Sequence, residues 1–265
     1  MKQTPFRAPA YPLFTIDPYT SIWSMADRLN GDHTRHWTGK PNALIGLAVI
    51  DGIETCFMGH ADESGSTGSA KPGTTPLEQT AVHFDAFSTT YTFQGHGIEL
   101  RAVFTSPLIP DDLMLLSRPV CYLRLAVRSL DGQPHTVEVT VKATSQLCLE
   151  RLRVPVTAEE RAMPEGFSAI RMGGIEQSIL GKAGDDLRID WGYVYLAAPT
   201  PGRVYASIDG QQDFIAASAP LHTASLPETL FLFGYDDLYS ITYFGKPLKA
   251  YWKKEIGRAS CRERV

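Results

Sequence analysis

The feature that most constrains this fold is a strict two-residue alternation of apolar side chains. Apolar residues recur at every second position in residues 98–104, 121–127 and 137–141; Gly95 and Gly97 precede the first stretch, and Gly132 lies between the second and the third. A period of two indicates β-strands with one buried face, and Asp-Gly or Gly-rich dipeptides between such runs are typical of β-hairpins. We therefore predict hairpins around the turn at residues 94–97 and around Asp131-Gly132.

Further strand patterns extend along the whole chain. Ala43–Ile50 and Ile53–Met58 flank Asp51-Gly52 and predict another hairpin. The strands expected after residue 160 are Phe167–Met172, Leu187–Ala197, Val204–Ile208, Phe214–Ala217, Thr229–Phe233 and Leu238–Tyr243. A short helix is predicted at Thr157–Met163, because Thr157 and Glu160 have capping-box spacing.

About a dozen short strands without a fixed repeat predict an all-β fold, a large antiparallel β-sandwich of the supersandwich type. A long irregular N-terminal segment is expected to precede it. We divide the chain into residues 1–80, with the first hairpin and a long loop at Gly59–Gln79, a sandwich at residues 81–254, and a tail at residues 255–265.

Composition excludes several classes of partner. The formal net charge of −4 and a pI near 6.0 give no basic field for nucleic acid. No apolar run approaches the length of a membrane span, and the start of the chain lacks the apolar core of a signal peptide. The four cysteines, at positions 56, 121, 148 and 261, lack zinc-site spacing, and we predict mainly buried thiols.

The stretch Asp17–Gly39 is the candidate site, because it concentrates charged and aromatic residues without a helical or strand period. The candidate residues in it are Trp23, Asp27, Asp32, Arg35, His36 and Trp37. Aromatic walls and oriented charges suit a small polar ligand. The alternative is a buried Trp with Arg–Asp pairs that pin a long loop.

Other reactive patterns have plainer interpretations. Asp32, His33 and His36 form D-H-x-x-H, but the surrounding residues disfavour the helix that a metal site of this spacing needs, so no metal is predicted. Adjacent carboxylates at Asp111-Asp112 and Asp185-Asp186 are expected to cap turns. Asp236-Asp237 stays a candidate, because Tyr235 and Tyr239 surround it. No nucleotide, zinc-protease or nucleophile-elbow motif is present, and we predict no cofactor.

Three segments together resemble the N-terminal part of the glutaminase A family. They are RAPAYPLFTIDPYTSIWS (7–24), DHTRHWTGKPNALIGLAVIDG (32–52) and LFGYDDLYSITYFGKPLKAYW (232–252). The resemblance implies a β-sandwich followed by a helical six-hairpin barrel, and an intact protein that hydrolyses L-glutamine to glutamate and ammonia. It also implies a secreted or periplasmic location, although the sequence shows no export signal.

By this resemblance the chain is a non-catalytic sandwich portion, inactive alone, whose partners are its own C-terminal barrel and a small amide substrate. No catalytic residue of the family maps onto it. Asp32, Arg35, His36 and Trp37 are expected to line the face that meets the barrel and to contribute to the substrate cleft. The alternative is a carbohydrate-binding or accessory domain of a glycoside hydrolase with the same sandwich-plus-barrel plan.

The tail, EIGRASCRERV at residues 255–265, resembles the translation of a sequencing adapter. On this interpretation the natural sequence is interrupted near Lys254, and the tail is excluded from the fold prediction.

Overall fold

The computed structural model describes residues 7–61, 69–70, 74–151, 153–163, 166–182, 184 and 188–254. The tail therefore lies outside the described residues. The described chain contains one α-helix, α1 (Leu113–Ser117), and two 3-10 helices, Ser145–Leu147 and Tyr251–Lys254. Its strands are β1 (Tyr11–Thr15), β2 (Ser21–Ser24), β3 (Arg35–His36), β4 (Leu44–Ile50), β5 (Ile53–Met58), β6 (His60–Ala61), β7 (Ser69–Ala70), β8 (Thr75–Pro76), β9 (Glu78–Phe84), β10 (Ser88–Gly95), β11 (Ile98–Thr105), β12 (Val120–Ser129), β13 (Thr136–Thr144), β14 (Val156–Arg161), β15 (Phe167–Gly174), β16 (Tyr193–Pro199), β17 (Arg203–Ser207), β18 (Phe214–His222), β19 (Glu228–Asp236), β20 (Ile241–Tyr243) and β21 (Lys246–Leu248).

Two large sheets form the sandwich that the alternation predicts. The first has eight strands in the order β14-β15-β16-β19-β12-β11-β10-β9, and every neighbouring pair is antiparallel. The second has six strands in the order β17-β18-β13-β4-β5-β8, and only the short β5–β8 contact among its pairs is parallel. The predicted fold class is confirmed.

The core lies between these two sheets and continues under the N-terminal segment. Phe93, Phe104 and Phe233 are fully buried, and Phe14 from β1 stacks on Phe233 with ring centroids 4.7 Å apart. Burial of each such side chain stabilises the fold by about 1.5–3 kcal/mol. The N-terminal segment is thus part of the same core as the sandwich strands.

The N-terminal segment is less irregular than the sequence suggests. Within Asp17–Gly39 the structure has β2 and β3, which join β1 in a three-stranded antiparallel sheet. Each of these strands is too short to show a period. The Gly59–Gln79 loop carries β6, β7 and β8, and the remainder of that loop, at residues 62–68 and 71–73, lies outside the described residues.

The predicted hairpin around Asp131-Gly132 is wrong in its pairing. Strand β12 pairs with β11 and β19, whereas β13 pairs with β4 and β18 in the other sheet. Alternation identifies the buried face of a strand, and both strands do face the same core. It does not identify the partner, so a connection that crosses between sheets has the same pattern as a hairpin.

The predicted helix at Thr157–Met163 is also wrong, because this stretch forms β14. It pairs residue by residue with β15, and Val156 and Ala158 pack against the core. Tertiary pairing outweighs the weak capping signal. Two predicted strands begin later than expected: β16 begins at Tyr193, and β20 begins at Ile241 because Leu238 has a positive φ of 61°.

The three cysteines within the described residues, Cys56, Cys121 and Cys148, are buried free thiols. This confirms the prediction for these three positions, while Cys261 lies outside the described residues. Among those residues, no helix has the length and apolar character needed to cross a membrane.

Candidate functional site

The candidate stretch begins with a tight turn at Asp17. Its carboxylate accepts hydrogen bonds from the backbone N–H groups of Tyr19 (2.8 Å) and Thr20 (2.7 Å). Desolvation by the surrounding protein raises the pKa of the Asp17 carboxyl, although part of the residue is exposed to solvent. The negative charge of Asp237 raises this pKa further. Asp17 and Asp237, 220 positions apart in sequence, are therefore neighbours in space.

His36 is fully buried and has both ring nitrogens engaged. Nε2 lies 2.8 Å from the Pro18 carbonyl oxygen and Nδ1 lies 2.9 Å from Thr38 Oγ1. A carbonyl oxygen only accepts, so Nε2 carries the proton and Nδ1 accepts from the Thr38 hydroxyl. Burial lowers the pKa of His36, which is neutral at pH 7. The residue is a structural anchor for the Pro18 turn.

Trp37 shares this anchor but presents its ring to solvent. Its Nε1 donates to the same Pro18 carbonyl at 2.8 Å, while 45% of the residue surface is exposed. The hydrogen bond fixes the indole against the turn. Trp37 is thus a fixed, accessible aromatic surface.

Arg35 and Asp32 form a bidentate pair that closes the loop. Arg35 Nε and Nη2 donate to the two Asp32 oxygens at 2.9 and 3.0 Å, and Nη1 donates to the Gly39 carbonyl at 3.0 Å. Trp23 lies opposite Arg35 in the β2–β3 register and donates to Ser21 Oγ. These contacts agree with the alternative in which Arg–Asp pairs pin the loop.

Asp27 lies apart from this group. Its carboxylate accepts from Arg7 Nε at 2.5 Å, and its carbonyl accepts from the Gln79 side chain. The contacts of Asp27 therefore connect the start of the chain to β9, and they do not reach His36 or Trp37.

Asp236-Asp237 lies close to the beginning of the stretch. Tyr19 packs against Trp191 with centroids 5.9 Å apart, and Trp191 Nε1 donates to the Tyr239 carbonyl at 3.3 Å. The Tyr235 hydroxyl donates to the Trp191 carbonyl at 2.6 Å. A chain of contacts thus joins Pro18 and Tyr19 to the residues on both sides of Asp236-Asp237.

Lys253 neutralises this acidic pair. Its ammonium contacts Asp236, donates to the Leu238 carbonyl at 3.0 Å and lies 3.6 Å from Asp237. The Lys253 side chain is only 10% exposed. Asp236 also accepts from the Leu238 backbone N–H at 2.9 Å. This arrangement holds the Tyr251–Lys254 turn against the end of β19.

The other carboxylate pairs have the expected structural roles where the structure describes them. Asp112 caps α1 by accepting from the backbone N–H groups of Met114 and Leu115. Asp185 and Asp186 lie outside the described residues. Within the described ranges, no group of three or more His, Cys, Asp or Glu side chains is placed to hold a metal ion.

Sequence reasoning missed a buried ion network beside His36. Arg188 donates through its backbone N–H to Glu150 (2.6 Å) and through its guanidinium to the carbonyls of Pro41 (2.6 Å) and Glu150 (2.7 Å). Lys40 approaches the other Glu150 oxygen at 3.0 Å. Burial lowers the pKa of Arg188. No local pattern links residues so far apart, so the sequence carried no signal for this network.

Sequence reasoning also missed an apolar groove on the outer face of the eight-stranded sheet, with a volume of about 410 Å³. Its floor is formed by β12, β15, β16 and β19, and Trp252 from the Tyr251–Lys254 turn forms one wall. Its other lining residues include Val120, Met163, Tyr195 and Leu232, with Arg118 and Asp236 as charged members. The groove is large enough for apolar side chains of a ligand or a packed segment.

Comparisons with known proteins give one curated relative and a remote structural likeness. The chain is 31% identical over 144 residues to glutaminase A of Aspergillus oryzae, a match that spans 51% of this chain and 19% of the relative. A protein assigned as a kojibiose phosphorylase from the human microbiome aligns with 84% of this chain and 29% of its own, at 8% identity and a TM-score of 0.41. A protein assigned as an aldose 1-epimerase from Escherichia coli K12 aligns with 86% of this chain and 98% of its own, at 7% identity and a TM-score of 0.38.

Two family models also match. The model for domain of unknown function DUF4964 matches residues 1–64, and that for domain of unknown function DUF5127 matches residues 87–219. The relation to glutaminase A rests on part of each chain, because this chain spans about a fifth of that relative. The DUF5127 match extends over half of the chain and includes strands of both large sheets, so the chain belongs to the DUF5127 family.

Proposed function

We propose that this chain is the N-terminal β-sandwich portion of a glutaminase-A-like amidohydrolase, a non-catalytic part that supports a helical six-hairpin barrel. The observation that carries the proposal is the 31% identity to glutaminase A of Aspergillus oryzae. The geometry agrees with a supporting role. The side chains of Asp32, Arg35 and His36 form hydrogen bonds with other groups of the protein.

The proposed substrate is a small amide such as L-glutamine, and the proposed location is secreted or periplasmic. Ammonia release from L-glutamine is measured for this chain and for the polypeptide encoded by the uninterrupted gene. We expect no turnover by the chain and clear turnover by the longer polypeptide. Sugar binding in a glycan screen, together with no ammonia release by the longer polypeptide, would instead support an accessory domain of a glycoside hydrolase.

Within this proposal Trp37 is the residue of the stretch best placed to meet substrate or the barrel. Trp37→Ala in the longer polypeptide is expected to lower kcat/KM for the amide about tenfold, equivalent to about 1.4 kcal/mol of transition-state stabilisation. Phe87→Ala is the matched control, because Phe87 is 47% exposed but lies between β9 and β10. Equal kcat/KM values for both variants would show that Trp37 does not contribute to the substrate cleft.

A further inference from the structure

The outer face of the eight-stranded sheet has two chemically different halves. On β10 and β11 the outward positions are mostly polar, for example Thr90, Thr92 and Arg101. On β16 and β19 the corresponding positions carry Tyr195, Leu230 and Leu232. A strand that faces water alternates apolar and polar residues, and a strand covered on both faces does not. The outer face of the sheet is therefore polar on β10 and β11, as expected for exposure to solvent, and apolar on β16 and β19, as expected for a face that packs against another element.

Exposed apolar residues continue from this half onto the neighbouring short elements. Helix α1 contacts the Tyr251–Lys254 turn, and Leu113, Leu116 and Tyr251 are exposed there. The groove lined by Tyr195, Leu232 and Trp252 adjoins these elements, because Arg118–Val120 directly follow α1. Two short helical pieces thus already border the apolar half of the sheet.

The β20–β21 hairpin adds an unusual exposed element. Every residue of both strands is exposed, and Phe244 in its turn is 89% exposed. A two-stranded hairpin is at best marginally stable in water when neither face is covered. Its residues Ile241, Tyr243 and Leu248 are apolar, so covering the hairpin would remove a substantial apolar area from water.

The charges of the β20–β21 hairpin and the Tyr251–Lys254 turn are basic, whereas Asp111 and Asp112 precede α1 and Asp236 lines the groove. Lys246 and Lys249 belong to or follow the hairpin, Lys254 lies 3.8 Å from the centroid of the Tyr251 ring, and Arg118 is at the groove. Lys253 is already paired with Asp236. A complementary partner carries an apolar stripe flanked by carboxylates.

We infer that the groove, α1, the Tyr251–Lys254 turn and the β20–β21 hairpin form a docking surface for an amphipathic, acid-flanked helix of the same polypeptide, C-terminal to residue 254. Stable layered folds cover an apolar sheet face with helices or a second sheet, and helical elements already flank this one. The inference rests on the proposed function, in which more polypeptide follows. The curated relative, of which the match spans 19%, is long enough to contain such a layer.

The test compares hydrogen exchange in this chain and in the polypeptide of the uninterrupted gene. Peptides covering residues 113–122, 230–236 and 241–254 are expected to exchange at least tenfold more slowly in the longer polypeptide, while peptides from β10 and β11 exchange equally. Equal exchange at all of these peptides, or a gene that encodes no helix after residue 254, would overturn the inference.

Two variants test the contact directly. Leu232→Asp and Phe244→Asp should each abolish the added protection in the longer polypeptide, and Val103→Asp, at an outward position of β11, should leave it unchanged. Circular dichroism of each variant in the shorter chain checks that the sandwich still folds, and Phe244→Asp alters no buried residue. Persistent protection in both variants contradicts the inference.

The failure of this inference and the failure of the proposed function are separable. If the longer polypeptide shows slower hydrogen exchange at these peptides but releases no ammonia, the docking surface is supported and the proposed amidohydrolase activity is rejected. If the longer polypeptide releases ammonia but shows no slower hydrogen exchange, the proposed activity is supported and the docking surface is rejected.

Discussion

Two buried polar side chains, Arg188 and His36, hold the N-terminal segment in place. Arg188 is 8% exposed and links Glu150 to Pro41, directly after the candidate stretch. His36, in the same region, is held neutral by burial. Several polar side chains of Asp17–Gly39 thus hold the extended segment in place through bonds to protein groups.

Removal of Arg188 should therefore be costly. We expect Arg188→Ala to lower the free energy of unfolding by about 3 kcal/mol, because the carbonyl groups of Pro41 and Glu150 lose their buried guanidinium donor. Urea denaturation measures the change. The control is Arg203→Ala, which breaks an exposed pair with Glu138 and should cost less than about 1 kcal/mol. Similar costs for both variants would show that Arg188 does not secure the segment.

His135 forms a clasp between turns of both sheets. Its Nδ1 lies 2.6 Å from Asp51 Oδ2 and its Nε2 lies 3.0 Å from Asp131 Oδ1. Hydrogen bonds to these two carboxylates raise the pKa of His135, and the same bonds lower the pKa of Asp51 and bring that of Asp131 to about 2. The clasp is therefore an imidazolium bound by two carboxylates.

This clasp predicts a stability that depends on pH in two directions. The His135 contribution is complete below the ordinary histidine pKa of 6.5 and is lost as pH rises through the raised value. The carboxylate contribution is complete above the ordinary value of 3.8 and is lost as pH falls through the lowered ones. Urea midpoints between pH 4 and pH 9 should fall on the alkaline side, and His135→Gln should flatten this fall whereas His83→Gln should not. An unchanged profile in His135→Gln would contradict the clasp.

At the scale of elements, the sequence predicted the buried face of a strand more reliably than the strand with which it pairs. The hairpins β4–β5 and β10–β11 were predictable because each has a short glycine turn between two runs with a strand pattern. The sheet change between β12 and β13 was not, because a connection with the same Asp-Gly signal joins two alternating strands that face one core from opposite sides. The proximity of Asp17 to Asp237 was not predictable either, because the two residues are 220 positions apart in sequence and only the fold brings them together.

Gly192 directly precedes β16 and lies beside the end of β19, and its surroundings differ sharply from those of Gly210. It has φ +84°, and a Cβ there would lie 2.2 Å from the Asp236 carbonyl oxygen. Gly210 has φ +78° with no atom within 4 Å of such a Cβ. Gly210→Ala should cost about 1 kcal/mol from backbone strain alone. Gly192→Ala should cost clearly more, because the Asp236 turn must move.

Thermal unfolding of the two alanine variants measures this difference. The Gly192 variant should also weaken the Lys253–Asp236 contact, which hydrogen exchange at residues 251–254 detects. Equal melting temperatures would show that the contact between residue 192 and Asp236 tolerates a side chain.

At the scale of the whole molecule, the described strands form one interdependent body. Strand β4 pairs with β13 over seven residues, and Phe14 stacks on Phe233. The boundary near residue 80 thus divides the sequence where the packing is continuous. A chain that begins at residue 81 loses β4, which is one of the two neighbours of β13, and the Phe14 ring that stacks on Phe233.

We therefore expect a chain of residues 81–254 to lack a cooperative thermal transition, and a chain of residues 1–254 to unfold in a single one. Calorimetry of both chains provides the comparison, and residues 1–254 serve as the control because they retain the complete described core. Cooperative unfolding of the shorter chain at an equal temperature would mean that the sandwich does not need its N-terminal segment.

The buried thiols have a consequence for the redox chemistry of the molecule. Burial raises the pKa of Cys56 and Cys121 to about 11 and that of Cys148 to about 12. At pH 7 only about one thiol in ten thousand is then ionised at the first two positions, and the thiolate is the nucleophile that attacks oxidants and disulfides. The described fold therefore needs no disulfide bond. We expect these three cysteines to stay reduced in both reducing and oxidising surroundings.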